Sequence, residues 1–208
     1  MSTPDLKTTT TQVAERTRRA DAVRNRQRVL DAALAAFRES GFDAQMPEIA
    51  RRANVGVGTL YRHFPTKGDL VGALAEQNFE RMAQMTQEAL DSGSPPLEAF
   101  EDFIWRAARR IAEDRGLAEL MARKREVVQH TEAPVRLQEL GNELIGRAKD
   151  SGDLREDATV ADIPTILCGL GQVVSTQGDG PHPLITWERY VTLMLAGLRR
   201  QPEARAQP

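Results

Sequence analysis

Between Met46 and Lys67 the chain reads Met-Pro-Glu-Ile-Ala-Arg-Arg-Ala-Asn-Val-Gly-Val-Gly-Thr-Leu-Tyr-Arg-His-Phe-Pro-Thr-Lys. Thr59, Tyr61, Arg62, His63 and Lys67 set hydroxyl, phenol, guanidinium, imidazole and ammonium donors within one short stretch. A phenol hydroxyl or an imidazole N–H can donate to a phosphate oxygen, and a threonine offers both a methyl and a hydroxyl. Bond-making chemistry has little support elsewhere. There is no Gly-rich phosphate loop, no pair of Cys or His at metal spacing and no nucleophile motif, so no cofactor, metal or catalytic residue is expected.

Charge is distributed unevenly. From Ala14 to Lys67 there are 11 Lys and Arg against 6 Asp and Glu, while the whole chain carries a formal charge of -2. A basic N-terminal third on an otherwise acidic protein suggests a polyanion-binding module joined to something else, although a solvated charged face gives the same count. Arg24, Arg26 and Arg28, with Arg16, Arg18 and Arg19 before them, would add screened attraction blind to sequence.

These side chains need short helices to hold them. Many Ala, Leu, Glu and Arg, few aromatics and little β-branched alternation predict an all-α protein. Residues 1–21 read as a disordered basic arm. A helix over 22–40 carries the apolar stripe Val23, Leu30, Ala33, Leu34 and Phe37, and Gly41 stops it. Two very short helices follow, at 46–53 and 57–64, closed by Pro65. A long one runs over 67–90, and five more are expected at 97–114, 117–129, 134–151, 160–177 and 184–200. A frayed tail fills 201–208.

Steeply crossed short helices need a small residue where they touch, and Ala50 supplies it. The turn between them needs a residue that tolerates positive φ, which Asn54 does. Ile49, Ala53, Val55 and Leu60 then fill the space beneath the first helix. That is a helix-turn-helix, whose second helix can enter the major groove by its N-terminal end. The run Thr59-Leu60-Tyr61-Arg62-His63-Phe64-Pro65-Thr66-Lys67 resembles the signature of TetR-family regulators, and Ala33, Phe37 and Gly41-Phe42 agree with it. The resemblance is strong over residues 22–75; beyond them only helix number and order match, nine being what the family shows.

The resemblance implies a helix-turn-helix domain over 22–68 and a ligand-binding and dimerisation domain over 69–200. It implies that Val57, Gly58 and Thr59 face base edges or the sugar-phosphate wall, and that Tyr61, His63 and Lys67 touch phosphates. Arg62 can reach either. Val57 departs from the polar residue frequent there and offers only apolar contact. Gly56 replaces a capping hydroxyl. It further implies a homodimer through the last two helices, an inverted-repeat DNA operator and release by a small-molecule effector of unknown identity. The effector pocket would draw on Phe79, Met82, Met85, Phe103, Leu120, Met121 and Leu144, residues that suit a ligand-free core equally.

The last two helices are apolar beyond a single stripe, and Gly169 and Gly171 permit close helix approach. A lone Cys168 excludes an internal disulfide and fits a reducing cytoplasm. No apolar run reaches 18 residues, so no membrane span is expected, and residues 1–11 lack the apolar core of a signal peptide. The competing reading is a helical small-molecule-binding, scaffold or enzyme domain whose basic end merely solvates.

Overall fold

The computed structural model describes residues 6–123, 134–176 and 186–200, with side chains from residue 20 onward. The expected tail at 201–208, the helix portions expected at 124–129, 177 and 184–185, and the side chains of Arg16, Arg18 and Arg19 lie outside the described residues. Among those described, nine α-helices follow in order. They are α1 Leu6–Ser40, α2 Met46–Arg52, α3 Val57–His63, α4 Lys67–Leu90, α5 Pro96–Glu113, α6 Arg115–Ala122, α7 Val135–Asp150, α8 Asp162–Thr176 and α9 Trp187–Leu198. No strand occurs among them, only an isolated bridge between Leu154 and Arg199. The helices form two compact units, one ending at Lys67 and one beginning at Gly68.

In the first unit α1 begins at Leu6, which corrects the expected disordered arm: residues 6–21 are helical. The physical reason is plain in retrospect. No Gly or Pro lies between Asp5 and Gly41, so once the helix is nucleated over 22–40 each preceding residue adds a hydrogen bond at little cost. The buried stripe is Val29, Leu30, Ala33, Ala36 and Phe37; Leu34 is half-buried. Val23, counted in that stripe from sequence, is 69% exposed; the buried stripe of α1 begins at Val29.

The turn between α2 and α3 forms as its residues require. Asn54 has φ 52°, the one positive-φ residue other than glycine among those described. Its N–H donates to Arg51 O at 3.1 Å, and the Val55 N–H donates to Ala50 O at 3.1 Å. Ala50, Ile49 and Leu60 are fully buried at the crossing. A β-branched residue cannot hold that φ without strain. Asn54→Val should therefore cost about 1–2 kcal/mol in thermal unfolding, and Asn54→Gly should melt at or above the wild-type temperature.

In the second unit α5, α6 and α8 form the centre, with α7 and α9 packed against them. Helix ends are set locally. Asp114 accepts hydrogen bonds from the Gly116 and Leu117 N–H groups and caps α6, and Thr186 accepts from Arg189 N–H and caps α9. Arg147 donates to Leu90 O at 2.9 Å, satisfying a last-turn carbonyl of α4. Trp105 and Trp187 meet edge-to-face at 5.9 Å, joining α5 to α9.

The glycines of α8 serve this packing. A Cβ at Gly171 would stand 2.7 Å from Met121 Cβ and 2.9 Å from both Ala118 O and Ala122 N of α6. At Gly169 the neighbour is the Tyr190 ring of α9, whose hydroxyl donates to Ile166 O at 3.1 Å. The close helix approach read from these glycines is thus made inside one subunit. Burial, with Cys168 close by, raises the Tyr190 phenol above its ordinary range, and Cys168 itself is half-buried.

Candidate nucleic-acid interface and ligand cavity

One face of α3 is packed and the other is bare. Leu60 is fully buried and Phe64 nearly so. Val57 is 45% and Tyr61 42% exposed, Gly58 and Arg62 are exposed, and Thr59 and His63 are half-buried. Val57, Gly58, Tyr61 and Arg62 therefore share one outward surface, with Thr59 and His63 at its margins. A Cβ on Gly58 would meet nothing within 4 Å, so the helix can be approached there down to its backbone. The cap residue Gly56 makes no side-chain hydrogen bond, as its lack of a hydroxyl predicts.

Lys67 is placed differently from the expectation. Its ammonium donates to Phe42 O and, at 2.9 Å, to Ala44 O. It also lies 4.8 Å from the Phe42 ring centroid and 5.7 Å from that of Phe37. The Phe42 and Ala44 carbonyls draw the ammonium inward, so this side chain ties the α1–α2 turn to the start of α4 instead of reaching outward. Sequence reasoning missed this because the carbonyls lie 23 and 25 residues away.

The surrounding charges are partly committed. Arg52 bridges Glu39 of α1 and Glu48 of α2. Hydrogen bonding to Arg52 holds the Glu39 carboxyl below its ordinary range, so the pair is intact above that range and is lost as pH falls through the lowered value. Exposed Arg24 pairs with Asp21, Arg28 donates to Asn25, and Arg26 stacks over Phe64 at 5.6 Å. These three arginines stand on the surface of α1.

In the second unit a cavity of about 340 Å³ opens among α4, α5, α6, α7 and α8. Of the residues expected there, Phe79, Met82, Phe103 and Met121 line it. Met85, Leu120 and Leu144 do not: each is at most 2% exposed and belongs to the packed core. Helical periodicity places a residue on an inner face but cannot say whether the facing space is filled. The wall also holds Asn78, Arg110 and Ile111, and from α8 Ile163 and Leu167, none of which was expected in the pocket from sequence. Arg110 donates weakly to Asn78 Oδ1 at 3.5 Å.

Two family models match the chain. The one for bacterial regulatory proteins of the tetR family covers residues 29–74, and the C-terminal domain of SbtR-like transcriptional regulators covers 95–200. The transcriptional repressor KstR of Mycolicibacterium smegmatis is 37% identical over 99 residues, 47% of this chain and 48% of that one. KstR of Mycobacterium tuberculosis is 30% identical over 135 residues, 64% of this chain and 61% of that one. The chain spans about half the length of the curated relatives it matches. A solved TetR transcription regulatory protein from Mycobacterium vanbaalenii is 35% identical, with a TM-score of 0.55, covering 88% of this chain and 99% of that one. TetR regulator SCO0520 from Streptomyces coelicolor is 31% identical with a TM-score of 0.54, covering 85% and 99%. With its helix-turn-helix unit matched by one model and its helical second unit by the other, the chain belongs to the TetR family of bacterial transcriptional regulators.

Proposed function

We propose that this protein is a homodimeric transcriptional repressor that binds an inverted-repeat operator and leaves it when a small molecule fills the second unit. The observation that carries the DNA-binding part is the bare face of α3, with Val57, Gly58, Tyr61 and Arg62 outward over a fully packed Leu60. Val57 contacts a thymine methyl, Thr59 a base edge or the sugar, and Tyr61 and His63 phosphates. Arg62 takes a base or a phosphate. Lys67 acts through its place at the N-terminus of α4, where backbone N–H groups favour an anion. In gel-shift titrations Thr59→Ala should blur sequence preference, whereas Tyr61→Phe should weaken binding to all sequences alike. If both variants bind as the wild type does, α3 is not the reading head.

Pairing of subunits is supported by α9, where Leu193 is 49% exposed beside exposed Ala196 and Gly197. In the family the last two long helices form a four-helix contact between subunits. Leu193→Glu would bury a charge there, at a cost of several kcal/mol, and should yield monomers at micromolar concentration. Gly169→Arg is unsuitable for this purpose, since it would first strike Tyr190 of its own subunit. A wild type that sediments as a monomer would remove the dimer from the proposal.

Release is a population shift. Helix α4 runs unbroken from Lys67, the last residue of the first unit, to the cavity wall at Asn78, Phe79, Met82 and Thr86. A ligand that prefers one position of α4 thereby favours one setting of the reading heads. The repressor works where DNA is, in the cytoplasm, and no described helix is long and apolar enough to cross a membrane.

A further inference from the structure

The cavity wall is largely apolar, its polar residues being Asn78, Thr86, Arg110 and Gln138 among those described. Among the described residues its lining includes no Asp or Glu and one cation, Arg110 of α5. Arg110 is half-buried, and its described hydrogen bond is the 3.5 Å contact with Asn78 Oδ1. Asn78 is itself turned partly to Met121, its amide 3.6 Å from the sulfur. The charges that act on Arg110 are Arg81, which repels it, and Asp114, whose carboxylate is engaged in capping α6. Burial, reinforced by Arg81, pushes the guanidinium below its ordinary pKa, although an arginine stays charged. A planar guanidinium with five donors, set in the wall of a largely apolar pocket and acted on by Asp114 from outside the described lining, is matched best by a bidentate carboxylate.

We propose that the ligand of this cavity is an amphipathic monoanion, an apolar body ending in a carboxylate that pairs with Arg110. The size follows from the volume: about 340 Å³ holds about eleven groups at ~30 Å³ each. That is the scale of a medium-chain or aromatic carboxylic acid. The apolar body lies against Met82, Phe103, Ile111 and Leu167, and the carboxylate displaces the weak Asn78 contact. The inference rests on the reading of this cavity as a ligand site.

The test uses the full chain and the uncharged fluorophore N-phenyl-1-naphthylamine, displaced in parallel by octanoate and by 1-octanol. Arg110→Met keeps the length of the stem and removes the charge; Arg109→Met, at an exposed neighbour, is the control. Arg110→Met should raise the octanoate concentration needed for displacement about tenfold or more and leave that of 1-octanol within twofold. Arg109→Met should change neither. Octanoate displacement unchanged in Arg110→Met, or both ligands weakened equally, would overturn the carboxylate assignment while the cavity reading stands. Failure of the fluorophore to bind the wild type would overturn the cavity reading and this assignment with it.

Discussion

Inserting five base pairs between the half-sites of the proposed inverted-repeat operator should lower the affinity of this protein about 10²–10⁴-fold, the advantage gained when a second binding event is intramolecular. B-DNA turns once in 10–10.5 base pairs, so five added pairs carry one half-site to the opposite face of the duplex. A two-fold dimer presents two copies of α3 in fixed relation and can then seat only one without twisting DNA or protein. Ten added pairs restore the face and should recover part of the loss. Fluorescence anisotropy on duplexes with no, five and ten added pairs, at one stated salt concentration, provides the measurement. Affinity indifferent to the spacer would mean that each head acts alone, and release through coupled heads would have to be abandoned. An octanoate-type ligand should mimic the five-pair loss on the unmodified operator without touching α3.

The second large effect concerns Gly171. In an ordinary helix, replacing Gly by Ala gains about 0.5–1 kcal/mol. At Gly171 the sign should reverse, because the new methyl would meet Ala118 O and Ala122 N at 2.9 Å, and backbone atoms of α6 cannot swing aside as a side-chain tip can. Gly171→Ala should cost about 1–3 kcal/mol by overpacking, and Gly171→Leu should prevent the second unit from forming its native packing. Gly146 of α7 is the control, since a Cβ there meets nothing within 4 Å, and Gly146→Ala should follow the ordinary rule. Circular-dichroism melts of the three variants decide the matter. A Gly171→Ala protein as stable as wild type would show that α6 and α8 stand farther apart than the structure places them.

The helix-turn-helix was legible because its rules act over a few residues. Asn54 must take positive φ, Ala50 must be small, Pro65 must end α3, and each condition can be checked within one or two turns of chain. The start of α4 at Lys67 and the family signature rest on the same short range. Even there, sequence reasoning went wrong once the partner lay outside the window, as with Val23, left bare, and Lys67, drawn to carbonyls across the α1–α2 turn.

In the second unit amphipathic spacing could say which side of each helix turns inward, but not what stands opposite. Met82 and Met85 are one turn apart on α4 and both are buried; the first faces the cavity and the second the packed core. Arg110 reads in sequence as one more arginine on a charged helix, and only the convergence of α4, α5, α6, α7 and α8 gives it a largely apolar chamber whose described lining holds no carboxylate. Gly171 reads as a weak point in a helix until α6, some fifty residues earlier, is laid against it. The sequence determined the order of the helices from residue 22 onward and the α2–α3 turn, because backbone conformation and capping are decided by near neighbours. The cavity, the place of Arg110 in its wall and the tight α6–α8 crossing were decided by tertiary structure, because they are properties of the space left between helices that meet only when the chain has folded.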